Sequence, residues 1–255
     1  MRILLTNDDG IHAPGFAALE RIASELSDDI WAVAPAEEQS GAGHSLTLSR
    51  PIRVRKLGDR RFAVRGTPTD SVMMALAHIM KDARPDLILS GVNRGANLAE
   101  DVTYSGTVSA AMEGALAGVR SIALSQVYPR EGMGDAVPFA TAEAWAGRVI
   151  RPLLELPFRS GTLTNVNFPA LPADQVKGIR VCAQGLRDYG RLQVDERTDP
   201  RGYNYYWFGL GPAKETPAHD TDLEAIADGF VALTPLQLDL TDNVARKVME
   251  DKFRR

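Results

Sequence analysis

The chain has 255 residues, 44% of them hydrophobic and 24% charged, which is enough for one large α/β domain or two small ones. Its formal net charge of -4 gives no long-range attraction to phosphate backbones or anionic lipids, which argues against a general nucleic-acid or membrane binder. The only cysteine, Cys182, excludes an intrachain disulfide and a multi-cysteine zinc site.

The first predicted element is a strand at the amino terminus, where Ile3, Leu4 and Leu5 form an apolar run without polar alternation. Such a run is typical of a strand covered on both faces of a parallel sheet. It is too short for the core of a signal peptide, and no stretch approaches the roughly 20 apolar residues that cross a bilayer. We therefore expect a cytoplasmic protein.

Two adjacent carboxylates, Asp8 and Asp9, follow this strand and are followed in turn by Gly10. The carboxyl ends of parallel strands are where open α/β sheets bind ligands, and two neighbouring like charges repel unless a cation or a shared proton relieves them. A divalent metal is the simplest relief. The alternative is structural, because Asn-Asp-Asp-Gly also suits a turn and either aspartate can cap a helix.

The next segments alternate between helix and strand. Apolar residues at helical spacing predict a helix over residues 14–26, and residues 30–34 predict a second strand, which completes a βαβ unit. Period-two alternation over residues 45–64 predicts a hairpin or an edge insertion. Ser40 lies in the glycine-bearing loop after the second strand, where its hydroxyl is either a metal ligand or an ordinary surface group.

Further along the chain, Thr67, Pro68 and Asp70 have the spacing of a capped helix start, and they predict a helix to about Lys81. The pattern then predicts strands over residues 86–89 and 121–125 and helices over residues 107–117 and 136–156. This alternation is that of a doubly wound sheet.

A dense polar segment, residues 90–98, follows the third predicted strand directly. Its two glycines permit a tight backbone path, and Asn93 and Asn97 offer amide oxygens to a metal or amide nitrogens to a phosphate. If this strand is parallel to the first, the segment shares a sheet edge with Asp8 and Asp9. A purely structural turn seldom needs so many such groups.

The start of the alanine-rich helix carries Ser105, Gly106 and Thr107. Free backbone N–H groups and the positive end of the helix dipole make such a start an anion site, and the two hydroxyls add donors. A phosphate is therefore a candidate ligand. The structural alternative is that the serine and threonine act only as helix caps.

The candidate metal ligands are Asp8, Asp9, Ser40 and Asn93, all of them hard oxygen donors, which favour magnesium, manganese or calcium over zinc or copper. A metal beside a phosphate cradle polarises the phosphoryl group and orients a nucleophile. His12 is a candidate for protonating a leaving alkoxide, or else it packs in the first loop.

The last third of the chain has a looser pattern. Strands are predicted over residues 163–167, 178–183 and 229–233, and a helix over residues 240–253. Between them, residues 184–222 are rich in glycine, proline and aromatics, which suits a projecting arm used in association. The alternative is an extended hairpin that packs on its own domain.

Several segments resemble the SurE family of survival-protein nucleotidases. The matching segments are residues 3–15 (ILLTNDDGIHAPG), 90–97 (SGVNRGAN), 104–114 (YSGTVSAAMEG), 66–70 (GTPTD) and 229–236 (GFVALTPL). Together they span most of the chain, although residues 127–137 and 186–217 carry no motif that aligns.

The resemblance implies one Rossmann-like α/β domain over residues 1–255, with a mostly parallel sheet in three α/β/α layers, a hairpin arm and a carboxyl-terminal segment. It implies a divalent metal, Mg²⁺ or Mn²⁺, on Asp8, Asp9, Ser40 and Asn93. It places the phosphate near Asn97, Ser105, Gly106 and Thr107, and it implies a homodimer or homotetramer built through the arm and the carboxyl-terminal segment.

The sequence therefore predicts a metal-dependent phosphatase, with Asp8 and Asp9 as catalytic residues. The resemblance implies that its substrates are nucleoside 5'- and 3'-monophosphates, with short polyphosphate in some family members. No membrane or nucleic-acid polymer is an expected partner. Two alternatives stay open. One is a phosphotransferase with Asp8 as nucleophile in an aspartyl-phosphate, and the other is a non-catalytic nucleotide sensor.

Overall fold

The computed structural model describes residues 1–128, 139–187, 192–210 and 219–254. In these ranges the strands are β1 (Arg2–Thr6), β2 (Asp29–Pro35), β3 (Arg53–Gly58), β4 (Arg61–Arg65), β5 (Leu87–Arg94), β6 (Arg120–Gln126), β7 (Thr162–Phe168), β8 (Ile179–Val181), β9 (Leu192–Thr198), β10 (Asn204–Leu210) and β11 (Val231–Gln237). The α-helices are α1 (Pro14–Ser24), α2 (Pro68–Met74), α3 (Gly106–Leu116), α4 (Ala140–Glu155), α5 (Asp222–Ala227) and α6 (Asn243–Phe253).

Nine strands form one sheet in the order β3-β4-β2-β1-β5-β6-β7-β11-β8. Most neighbouring pairs are parallel, and only β3 with β4 and β7 with β11 are antiparallel. The chain leaves β1 toward β2 on one side and later crosses to β5 on the other side. The point between β1 and β5 is therefore the topological switch point, where sheets of this kind bind ligands.

Helices cover both faces of this sheet. On one face, Ile3 and Leu5 of β1 pack in a core with residues of α1 and α4, such as Phe16 and Ile150. On the other face, Leu4 packs with residues of α2 and α3, together with Val33 and Ile88. Alternate residues of β1 are thus buried on opposite faces, and the predicted doubly wound, three-layer α/β fold is confirmed.

Strand β5 and the predicted hairpin differ in detail from the prediction. Strand β5 continues to Arg94, beyond the predicted end at Leu89, because its pairing with β6 shifts between Ser90 and Asn93 and resumes afterwards. The predicted hairpin is shorter than expected, because residues 45–48 form no strand. Thr47 instead donates its backbone N–H to Asp70, which ties this segment to the start of α2.

The helix that starts at Thr67 has the predicted capping box, in which Thr67 and Asp70 satisfy each other's backbone N–H groups. It is α-helical only to Met74 and continues as one π-helical turn over Ala75–Ile79. Helix α4 begins at Ala140, while residues 136–138 of the predicted helix lie outside the described residues.

The segment predicted as an arm contains a hairpin. Strands β9 and β10 pair with each other in a separate two-stranded antiparallel sheet, while residues 188–191 and 211–218 of this segment lie outside the described residues. Helix α5 follows this segment and was not predicted from the sequence pattern. It begins after Thr221, which forms a capping box with Glu224. Among the described residues, no helix is both long and apolar enough to cross a bilayer.

Candidate active site

Asp8 lies just beyond the carboxyl end of β1 and is almost entirely buried, with 4% of its surface exposed. Its Oδ1 accepts a hydrogen bond of 2.5 Å from the hydroxyl of Thr107, in the first turn of α3. Burial raises the pKa of Asp8 to about 6, and the neighbouring charge of Asp9 adds to this increase, while the Thr107 hydrogen bond opposes it. Asp8 is thus a buried carboxylate without a described cationic partner.

Asp9 is half-buried and accepts a hydrogen bond of 3.1 Å from the backbone N–H of Arg94, at the end of β5. Burial raises the pKa of Asp9, and the charge of Glu38 adds to this, whereas Arg94 lowers it. Asp9, Gly15, Glu38 and Arg94 are among the residues that line a pocket of about 280 Å³. Asp9 therefore faces space that a ligand can enter.

Ser40 lies in the loop after β2, and its hydroxyl donates to Glu38 at 2.8 Å. The loop is fixed to the aspartate pair, because the backbone N–H of Gln39 donates to the carbonyl of Asp8 at 2.8 Å. Sequence reasoning missed Glu38, which also forms an ion pair with Arg94 at 3.4 Å. Its place three residues after a strand that ends at the ligand edge is the signal that could have found it.

Asn93 belongs to β5, the strand next to β1 across the switch point. Its side-chain Nδ2 donates to the carbonyl of Gly95 at 3.0 Å. This bond fixes the amide orientation and leaves Oδ1 as the group that can accept or coordinate. Asn93 thus offers an oxygen at the same sheet edge as Asp8 and Asp9.

Asn97 is buried within a polar network on the carboxyl side of β5. Its side-chain Nδ2 donates to Ser125 at 2.8 Å, and its carbonyl accepts from the side chains of Asn165 and Asn167 at 2.8 and 3.0 Å. These bonds hold the loop that follows β5 against β6 and β7. The side-chain nitrogen of Asn97, which the sequence offered to a phosphate, is therefore hydrogen-bonded to Ser125 and helps to position this loop.

The start of α3 adjoins the aspartate pair. Ser105 is the N-cap, and its hydroxyl accepts the backbone N–H of Val108 at 3.0 Å. Gly106 packs directly on Asp8, since a Cβ at this position would lie 2.8 Å from the Cβ and 3.0 Å from Oδ2 of Asp8. The structure thus brings the predicted anion site next to the predicted metal ligands, with Thr107 as the link.

The donor set fits a divalent cation of the hard, oxygen-preferring class. Two adjacent carboxylates, one amide oxygen and one hydroxyl are the ligand types that Mg²⁺ and Mn²⁺ favour. Within the described part of the chain, no group of three His, Cys, Asp or Glu side chains could hold a metal ion, as expected for a set with only two carboxylates. A bound cation would also neutralise the charge of Asp8 and so lower the energetic cost of burying this carboxylate.

The histidines lie outside this arrangement. His12 is exposed in the turn before α1, and no hydrogen bond is described for it. His44 contacts Glu113 of α3 at 3.1 Å. The structure therefore gives His12 no partner among the described residues that would orient it for proton transfer.

Comparison with known proteins connects this geometry to one family. The model of the family described as "Survival protein SurE" matches residues 3–191. The protein named 5'-nucleotidase SurE from Rhizorhabdus wittichii is 69% identical over 245 residues, which cover 96% of each chain. The protein of the same name from Erythrobacter litoralis is 62% identical, over 99% of this chain and 100% of that protein. The crystal structure of SurE from Aquifex aeolicus superimposes with a TM-score of 0.83, at 38% identity, and covers 99% of both chains.

Proposed function

The chain belongs to the SurE family, and on this premise we propose that it is a metal-dependent phosphatase that hydrolyses nucleoside 5'-monophosphates to nucleoside and phosphate. Relatives that align over nearly the whole chain are named 5'-nucleotidases, which supports the nucleotidase activity. The relatives' names cover only 5'-nucleotidase activity. The metal requirement and the activity on 3'-monophosphates and short polyphosphate are further parts of our proposal.

The observation that carries the proposal is the contact between the two halves of the site. Asp8 and Asp9 occupy the switch point of the sheet, and the first turn of α3 lies against Asp8 through Gly106 and Thr107. A cation site and an anion site in contact suit a phosphate monoester, because its oxygens can meet both.

In this proposal Asp8, Asp9, Ser40 and Asn93 hold one Mg²⁺ or Mn²⁺ per subunit. When bound, the cation neutralises the charge of the phosphoryl group and polarises it toward attack. Thr107 keeps Asp8 in its orientation through the 2.5 Å hydrogen bond. Asn97, Ser105, Gly106 and Thr107 form the wall that receives the phosphate, with the backbone N–H groups of the helix start as donors.

Asp9 is the residue we assign to the attacking water. It is more exposed than Asp8 and lines the open pocket, so its carboxylate can orient a water molecule and accept its proton. Asp8 is less suited to act as a nucleophile in an aspartyl-phosphate, because it is 4% exposed and its Oδ1 is engaged by Thr107.

Release of phosphate from AMP by the full chain tests the proposal. We expect multiple turnovers with Mn²⁺, none with an excess of chelator, and none from a folded Asp9→Asn variant. Asp59→Asn is the matched control, because Asp59 is a highly exposed carboxylate in the turn between β3 and β4. A folded Asp9→Asn variant with full metal-dependent turnover would overturn the assignment, and a trapped phosphoenzyme would favour the aspartyl route.

The proposal includes the cytoplasm as location and a homodimer or homotetramer as assembly. The single cysteine, Cys182, is buried and free, which suits a reducing compartment. The hairpin of β9 and β10 supplies exposed aromatic side chains for association.

A further inference from the structure

A second pocket, of about 370 Å³, lies beside the loop that carries Ser40, and three arginines line it: Arg50, Arg53 and Arg65. None of the three forms an ion pair with a carboxylate in the described part of the chain. Arginines at the other end of the same β3–β4 hairpin do have such partners, since Arg60 pairs with Asp29 and Arg61 with Glu20. The positive charges of the pocket are therefore not neutralised by ion pairs, in contrast to those of the neighbouring arginines.

The strand register places two of these arginines directly opposite each other. Arg53 of β3 pairs with Arg65 of β4, and the next pair, Val54 with Val64, faces the core on the other side of the sheet. Like charges at directly opposed positions of an antiparallel pair disfavour the sheet. No ion pair is described for either arginine, although Glu37 lines the same pocket, and this is the arrangement expected if an anion binds between the two arginines.

The pocket lies at the same sheet edge as the aspartate pair. Arg65 ends β4, which runs parallel to β2, so it lies at the carboxyl edge of the sheet. Consecutive residues of one loop line the two pockets: Glu37 and Gln39 line the arginine pocket, and Glu38 lines the pocket of Asp9. Only a short loop separates the two.

We propose that Arg50, Arg53 and Arg65 form a second anion site that binds a phosphate group. Guanidinium groups match phosphate oxygens in geometry and charge, and the volume falls within the roughly 300–1,000 Å³ typical of small-molecule sites. Glu37 lowers the formal charge of the pocket but leaves it positive. The phosphate is inorganic phosphate, or the distal group of a nucleotide with two phosphates; the second source rests on the proposed function.

Calorimetric titration of the full, metal-free chain with inorganic phosphate, in excess chelator, tests the binding step. We expect the Arg53→Gln, Arg65→Gln double variant to bind phosphate about tenfold more weakly, since it loses two charged hydrogen-bond donors. Arg55→Gln is the matched control, because Arg55 lies on the same strand, is exposed and does not line the pocket. Glu37→Gln should tighten binding, because it removes a negative charge.

Folding of the double variant is checked by its melting temperature in phosphate-free buffer, which should equal or exceed that of the wild type, since a like-charge pair is removed. Arg50→Gln, outside the strands, provides a second variant if the double variant does not fold, and it too should weaken binding. Equal phosphate affinity in the wild type and these pocket variants, or an equal loss in Arg55→Gln, would overturn the site.

Kinetics with Mn²⁺ distinguish the two sources of the phosphate. If the distal phosphate of a substrate binds here, the double variant raises the KM for adenosine 3',5'-bisphosphate about tenfold and leaves the KM for AMP unchanged. If inorganic phosphate binds here, both KM values stay the same and non-competitive inhibition by phosphate weakens. No change in either property shows that the site takes no part in turnover, and calorimetry alone then decides whether phosphate binds there. The calorimetric result stands apart from the phosphatase activity, so the two proposals can fail separately.

Discussion

Thr107 connects the two halves of the candidate site through a single hydroxyl group. The side chain is fully buried, and its 2.5 Å hydrogen bond to Asp8 is among the influences that lower the pKa of this carboxyl against the effect of burial. In the proposed metal site Asp8 is a ligand, and a group that orients a metal ligand affects both metal affinity and reactivity. Thr107 thus acts on Asp8 in addition to any contact with phosphate.

Substitution of Thr107 by valine tests this role. Valine has nearly the same shape but removes the donor, so we expect about 10–100-fold lower kcat or Mn²⁺ affinity with a smaller change in the KM for AMP. Thr107→Ser keeps the hydroxyl and should retain most of the activity. The measurement is the kinetics of phosphate release over a series of Mn²⁺ concentrations, with circular dichroism as the check of folding. Equal activity in Thr107→Val and Thr107→Ser would contradict the role.

The sequence predicts some of these residues more readily than others. Asp8 and Asp9 are adjacent in the chain and follow an apolar run, so local pattern alone suggests both the position and the chemistry. The contact of Thr107 with Asp8 joins residues 99 positions apart, and it depends on how α3 packs against β1. Glu38 was missed in part for a similar reason, because its ion-pair partner Arg94 is 56 positions away in the chain.

Helix α3 lies close to the sheet at Gly114, where the structure leaves no room for a side chain. A Cβ at this position would lie 2.3 Å from Oγ of Ser121 and 2.5 Å from Cδ1 of Ile88. This close approach helps to set the position of the helix, and therefore of its amino-terminal turn beside Asp8. The same exchange in α4 meets no such obstacle, since a Cβ at Gly147 would lie 3.7 Å from its nearest neighbour, Glu25.

Alanine at these two glycines should have opposite effects on stability. Gly114→Ala overpacks the contact with β5 and β6, and we expect it to lower the free energy of unfolding by about 1–3 kcal/mol. Gly147→Ala should raise it by about 0.5–1 kcal/mol, because alanine is the better helix former where space allows. Urea unfolding of both variants measures the difference. A Gly114→Ala variant as stable as the wild type would show that the side chains of Ser121 and Ile88, or the helix itself, make room for the methyl group, and it would contradict this role of Gly114.

Elements defined by local signals were predicted well, and those that depend on distant pairing were not. The start of α2 follows from the capping residues Thr67 and Asp70, which are three positions apart. The continuation of β5 to Arg94 depends on its pairing with β6, and the absence of a strand at residues 45–48 depends on a hydrogen bond from Thr47 to Asp70. Neither interaction is visible in a local pattern.

The hairpin of β9 and β10 carries large apolar side chains that are exposed in the isolated chain. Phe208 is 81% exposed and lies opposite Val194, which is 55% exposed. Trp207 and Tyr203 of the same segment are also exposed. Exposed aromatics clustered on one element mark an interaction surface, and they favour the association that the sequence predicts for residues 184–222.

A charge placed on this surface tests the assembly. Phe208→Asp buries a carboxylate in any interface formed there, so we expect the oligomer to dissociate toward monomers in light scattering after gel filtration. Gln175→Glu is the matched control, because it adds a negative charge at an exposed residue outside the hairpin. The far-ultraviolet circular dichroism should stay unchanged in both, since neither side chain belongs to the core of the nine-stranded sheet. If the two variants assemble alike, the apolar face that includes Phe208 does not form the interface, and the exposed aromatics require another partner.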